Sequence, residues 1–137
     1  SNLRVPATSR LGQTAALHPV WVLHGPDATA NGWDQTAARL ITAPTDGAHL
    51  DLLATFRLLA AEGLTRILIE AGGQFAAVLI RAKLVDELAL FQAGCLIGGD
   101  GIPVLGPLGL TALADAPRPK LIDATTFGPD TLTRWSF

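Results

Sequence analysis

Arg66-Ile67-Leu68-Ile69-Glu70-Ala71-Gly72-Gly73-Gln74-Phe75 decides the fold class, because its two halves follow different periodicities. Residues 66–70 are apolar on both faces except at the ends, the pattern of a central strand covered on two sides. Ala71-Gly72-Gly73 reads as a tight turn. From Gln74 to Ala82, Phe75, Val78, Leu79 and Ala82 recur at helical spacing. Upstream, Asp51 opens another helix: its carboxylate suits the first free amides, Leu52, Phe56 and Leu59 share a stripe with Leu53 and Ala60 beside it, and Gly63 stops it. Downstream, Glu87 to Ala93 reads as a strand. Laid parallel to residues 66–70, it closes a right-handed crossover around the second helix. Alternating strands and helices predict an α/β fold with a mainly parallel sheet.

The rest of the chain extends this pattern. Leu3 to Thr8 is expected as a strand held to a sheet edge or bulge by Pro6, which has no backbone donor. Val20 to His24, closed by Gly25-Pro26, and Arg39 to Thr42, ending before Pro44, are strands separated by the loop Asp27 to Gln35. Gly94 to Gly109 is a glycine- and proline-rich loop. Lys120 to Thr126, the turn Gly128-Pro129-Asp130, and Thr131 to Ser136 form a terminal β-hairpin.

A length of 137 residues suits one domain, residues 1–137. Hydrophobic residues make up 49% and charged residues 16%, which argues against disorder. The same balance predicts that some apolar surface is covered in an oligomer or by further chain. No apolar run approaches the roughly 20 residues of a membrane helix. Ten basic residues against 12 acidic ones are scattered without a cluster, so neither a nucleic-acid nor a membrane surface is expected. One cysteine, Cys95, excludes an internal disulfide, and His18, His24 and His49 have no spacing that builds a metal site with it. A reducing cytoplasm and no metal are expected.

Glu70-Ala71-Gly72-Gly73 is the most informative cluster for chemistry. Free amides at a helix start attract phosphate, and glycines let it approach the backbone. Glu70, at the strand end where α/β sheets bind ligands, is placed to hydrogen-bond a sugar hydroxyl or an amine. The same residues also suit a plain strand-to-helix turn with a solvated carboxylate, and spacing leaves both readings open. No Lys-Ser or Lys-Thr follows, so this is not a P-loop. Gly98-Gly99-Asp100-Gly101 is better suited to an ordinary turn than to a second ligand loop. Cys95 reads as a buried inert thiol, His24 and His49 as surface or loop residues, and the three tryptophans as packing or interface residues.

Leu59 to Gly73, Ala82-Lys83-Leu84-Val85-Asp86-Glu87-Leu88, Leu96-Ile97-Gly98-Gly99-Asp100-Gly101, Gly109-Leu110 and Leu113-Ala114-Asp115-Ala116 follow one another in an order that resembles the reductase domain of the RibD family of bifunctional riboflavin-biosynthesis proteins. The resemblance implies a dihydrofolate reductase-like fold: a mainly parallel sheet, flanking helices and a C-terminal hairpin. It implies NADPH-dependent reduction of the ribosyl group of 5-amino-6-(5-phosphoribosylamino)uracil to a ribityl chain. Glu70 matches an acidic residue that contacts substrate. Gly72, Gly73, Gln74, Phe75, Ala76, Ala77 and Val78 match the turn and helix start that hold the NADPH phosphates. Ser9 matches a cofactor-contacting serine in an Asp-Ser-Arg segment, with Thr8 here in place of the Asp. No residue is assigned to the chemical step itself. The resemblance also implies a homodimer, through the hairpin Lys120 to Ser136. The family's opening strand with its Ser-Leu-Asp-Gly-like motif and its basic helix have no counterpart before Leu3, so the domain is expected to be N-terminally truncated and to have little activity alone. The alternative from another class is a non-catalytic α/β module that uses the glycine turn to bind an anion or to dimerise.

Overall fold

A computed structural model of the chain describes residues 3–137, so the domain start read at residue 1 lies outside the described residues. The chain forms two compact units, one up to Ile67 and one from Leu68 to Phe137.

In the first unit the core grows around Trp33, which is 1% exposed and packs with Ala15 and Val20, flanked by Leu3, Ala7, Val22, Ala38 and Leu40. The indole of Trp33 donates to the Val5 carbonyl at 2.9 Å, and the Ser9 amide donates to the Pro6 carbonyl at 2.9 Å. A Cβ on Gly12 would collide with the Ala7 carbonyl oxygen. These contacts fold residues 3–8 back as a loop and use carbonyls that a strand would offer to a neighbour, so the strand expected there does not form. A single turn of helix follows, α1 (Arg10–Gln13), and then β1 (Trp21–His24) and β2 (Arg39–Thr42). They pair in parallel, Trp21 opposite Arg39 and His24 opposite Thr42. A small antiparallel hairpin, β3 (Thr45–Asp46) and β4 (His49–Leu50), leads into α2 (Leu52–Ala61).

Asp51 caps α2 as its position predicts, its Oδ1 accepting from the Ala54 amide at 3.0 Å. Thr55 and Leu59 are buried, with Leu52 and Phe56 half-buried at the same helical spacing. Leu53 and Ala60, expected beside this stripe, face solvent instead, because a stripe at positions 52, 55, 56 and 59 leaves them on its outer flank. Arg39 links strand to helix: it bonds Glu62 at 2.7 Å, and its guanidinium lies 4.9 Å from the centre of the Trp21 ring. Trp21 and Leu23, with Pro19, Leu59, Leu64 and Ile67, line an apolar groove of about 400 Å³.

Residues 66–70 are not a buried central strand. No ladder partner reaches them among the described residues, and they are exposed, Leu68 to 83%. Apolar, β-branched sequence favours a strand only where another backbone supplies the bonds. The crossover expected from 66–70 to a parallel neighbour is therefore absent.

The second unit opens with α3 (Gly73–Arg81), which buries Ala77, Leu79 and Ile80. Phe75 and Ala82, expected on the buried side, are exposed, and the apolar stripe runs through Ile80 instead. Then come β5 (Glu87–Gln92), β6 (Lys120–Phe127) and β7 (Asp130–Ser136). They form a three-stranded antiparallel sheet in the order β5-β7-β6. The terminal hairpin thus stands where the sequence predicts it. Gly128 takes φ +60 at the first position of the two-residue turn Gly128-Pro129, a conformation that favours glycine. The register shifts between Leu121 and Asp123 as a bulge. Arg134 bonds Glu87 at 2.7 Å across β5 and β7, and that hydrogen bond and charge hold its guanidinium above its ordinary pKa. Among the described residues parallel pairing is confined to β1 and β2, since residues 66–70, the strand expected to carry it further, remain unpaired.

Replacing Trp33 by Ala removes the centre of the first unit's core and is expected to cost about 3–5 kcal/mol. Trp33→Phe keeps most of the ring and should cost less. Urea unfolding of the chain measures both, and a loss under about 1 kcal/mol for Trp33→Ala would contradict this description of the core.

Candidate functional site

Gly72 caps the N-terminus of α3 in an extended conformation, φ −67 and ψ 158, with no side chain to satisfy the helix's free donors. Its carbonyl accepts from the amides of Phe75 at 3.0 Å and Ala76 at 3.1 Å. The amides of Gly73 and Gln74 reach no acceptor among the described residues. Two N–H groups at the positive end of a helix dipole are what an anion needs.

The two glycines differ in their surroundings. A Cβ built on Gly72 would meet nothing within 4 Å. A Cβ on Gly73 would lie 2.7 Å from the Pro103 carbonyl oxygen and 2.8 Å from that of Val104, closer than real side chains come. Gly72 therefore leaves the turn open, and Gly73 makes room for the chain's own loop. Each of the two readings left open by the sequence fits one glycine.

That loop, residues 94–109, is tied down at its ends. The Gly94 amide donates to Asp130 Oδ1 at 3.2 Å at the hairpin tip. The Gly106 amide donates to the Gly73 carbonyl at 2.9 Å, and Arg81 Nη1 donates to the Pro107 carbonyl at 2.6 Å. Gly98 to Asp100 form a 3-10 turn with Gly98 at φ +72, as the turn reading predicts. Cys95 is exposed, not buried as the sequence reading held, because this stretch of irregular backbone has no face packed on a core.

Glu70 is exposed, two residues before the open glycine, and its carboxylate has no bonded partner among the described residues. Gln74 and Phe75 are exposed on the first turn of α3, Ala76 and Val78 are half-buried, and Ala77 is packed inside. Ser9 belongs to the first unit. It caps α1 through its backbone, with its carbonyl accepting from the Gln13 amide at 3.0 Å, while its Oγ is shielded from solvent and has no partner among the described residues. Such an orphaned hydroxyl costs about 1–3 kcal/mol until something bonds it. Within the second unit, an open glycine and two free amides are groups that suit a phosphate. No three His, Cys, Asp or Glu residues are grouped to hold a metal among the described residues.

Residue patterns missed one feature. Beyond the carboxyl ends of β1 and β2, Gly25, Pro26, Asp27, Ala28, Thr45, Gly47 and Ala48 line a cleft of about 250 Å³, at the edge where parallel strands receive ligands. The signal available was Gly25-Pro26 at a strand end; the hairpin that forms the other wall, Thr45 to Leu50, is too short for a strand period. His24, beside the cleft, has its Nδ1 2.8 Å from the Gly25 carbonyl, so that nitrogen is engaged with its own loop.

The family model described as RibD C-terminal domain matches residues 1–133 and spans both units. RibD of Escherichia coli strain K12, a riboflavin biosynthesis protein, is 37% identical over 98 residues, which is 72% of this chain and 26% of the relative. The solved structure of Acinetobacter baumannii RibD superposes with a TM-score of 0.76 at 22% identity, covering 97% of this chain and 34% of that one. A pyrimidine reductase-like protein from Corynebacterium diphtheriae superposes with a TM-score of 0.58 at 25% identity, over 85% of this chain and 49% of its own. This chain spans about a quarter to a third of the curated relatives it matches. With the α/β, dihydrofolate reductase-like fold of these neighbours and a family match along nearly its whole length, the chain belongs to the RibD C-terminal domain family.

Proposed function

We propose that this chain is part of a reductase of riboflavin biosynthesis that uses NADPH to reduce the ribosyl group of 5-amino-6-(5-phosphoribosylamino)uracil to the ribityl chain. The observation that carries this reading is the open turn at Gly72, with the free amides of Gly73 and Gln74, in a chain of the RibD C-terminal domain family. NADPH, when bound, supplies the hydride. The chain's own contribution is to hold it. The Gly73 and Gln74 amides would hold a phosphate, and no Cβ at residue 72 would stand in the way. Residues 75–78 keep the helix in register behind them. Ser9 is proposed as a cofactor contact on the family resemblance alone. Glu70 offers an exposed carboxylate to a hydroxyl or amine of the substrate. A homodimer through the hairpin fits β6, all of whose residues are exposed, Leu121, Ile122 and Phe127 among them. A cytoplasmic enzyme with no nucleic-acid or membrane partner fits the scattered charges. No helix among the described residues is long and apolar enough to cross a membrane.

The contacts around Gly73 favour one other reading, a module in which the glycines serve packing alone. Calorimetry with NADPH on the full-length protein separates the two. Gly72→Ala adds only a methyl group in open space, so it should leave the unfolding midpoint unchanged while weakening NADPH binding about tenfold, which is about 1.4 kcal/mol. Failure of the full-length protein to bind NADPH would leave the non-catalytic module as the better account. Glu70→Gln in the full-length protein is expected to lower substrate-dependent NADPH oxidation at least tenfold, with NADPH affinity preserved. Unchanged turnover would remove Glu70 from the substrate site.

A further inference from the structure

The loop 94–109 crosses the start of α3 at backbone distance, a crossing that needs glycine at residue 73 and is tight at residue 106. Pro103 and Val104 place their carbonyl oxygens where a Cβ of Gly73 would be. Reciprocally, a Cβ on Gly106 would lie 2.8 Å from Gln74 Oε1 and 3.1 Å from the Gln74 Cα. Between them runs the 2.9 Å bond from the Gly106 amide to the Gly73 carbonyl, and one residue later Arg81, from the last turn of the same helix, bonds the Pro107 carbonyl at 2.6 Å. The strap 103–107 is thus fastened to both ends of α3.

Leu105 and Leu108 are half-buried beside these bonds. Leu96 and Ile102 are 102% and 97% exposed, so the loop before the strap is not anchored by burial. Its position rests on the Asp130 bond to Gly94 at one end and on Gly106 and Arg81 at the other.

We infer that Gly106 and Arg81 are positioning residues for the Gly72–Gln74 turn, holding the strap so that one side of the turn is closed and the other is presented to an anion. The inference rests on the reading of that turn as the NADPH phosphate site. Two carbonyl oxygens pointing at Gly73 close that side by volume and by partial negative charge, so phosphate can approach only over Gly72. The Gly106 bond also fixes the first peptide of α3, whose neighbouring amides must point at the ligand. A turn that is already ordered loses less conformational freedom on binding. A loose strap leaves the amides in place on average but no longer fixed.

The test uses the full-length protein with Arg81→Met, Arg81→Lys and Gly106→Ala. Lysine can still donate to the Pro107 carbonyl, and methionine cannot. Hydrogen exchange, without ligand, is read on peptides covering residues 70–77 and 100–108. Exchange in both should speed up in Arg81→Met and Gly106→Ala and return towards the parent rate in Arg81→Lys. NADPH binding by calorimetry should weaken about five- to tenfold in the first two and less than about threefold in the third, the scale of one preorganising contact. Arg81 and Gly106 are fastened to exposed loop, so unfolding midpoints should stay close to the parent value, and a merely structural defect would move them. If the parent binds NADPH and all three variants bind it equally, or if exchange is unaltered, the positioning role is overturned while the phosphate-site reading stands. If the parent does not bind NADPH, that reading fails first and the positioning role with it.

Discussion

The bond from the Gly106 amide to the Gly73 carbonyl is the constraint on which the second unit's candidate site depends. The bond itself is of ordinary length; what demands a glycine is that the carbonyl oxygens of Pro103 and Val104 would lie 2.7 and 2.8 Å from a Cβ on Gly73. The consequence is an asymmetric helix start. The Cβ position of Gly73 is crowded by the protein's own oxygens, and that of Gly72 is open. A turn built from one glycine for packing and one for access has a direction, which a double glycine in solvent would lack.

Local signals were legible in the sequence, and pairing was not. Asp51 as a cap, the stop at Gly63 and the Gly128-Pro129 turn depend on residues within a few positions of one another, and each stands as expected. Residues 66–70 show the opposite case: their apolar, β-branched pattern is that of a buried strand, yet strand structure requires a partner backbone, and no pattern within five residues reports whether one is there. The segment 3–8 failed as a strand for the complementary reason. Its carbonyls are taken by Trp33 and Ser9, contacts over 28 residues and three.

The site divides in the same way. The glycine turn and the solvated Glu70 followed from residue types in sequence; the one-turn helix that Ser9 caps did not, because four residues are too few to show a helical period. That Gly72 and Gly73 do different work did not, because the atoms that separate them belong to residues 103 and 104. The exposed Cys95 has the same origin: a free thiol is more often inside, but a loop held only at its ends has no inside to offer.

These observations bear on how the turn is held from its other flank. On its C-terminal side the strap and helix α3 fix Gly73 through named bonds. On its N-terminal side Glu70 and Ala71 continue directly from the stretch 66–70, which has no ladder partner among the described residues and whose Ile67, Leu68 and Ile69 are exposed. An unpaired extended segment keeps most of its backbone freedom, on the order of 1 kcal/mol per residue. Glu70 inherits that freedom while Gly73 does not. Of the two halves of the motif, then, the amides that suit a phosphate are set by this chain's own contacts, whereas no bonded partner among the described residues sets the direction of the Glu70 carboxylate.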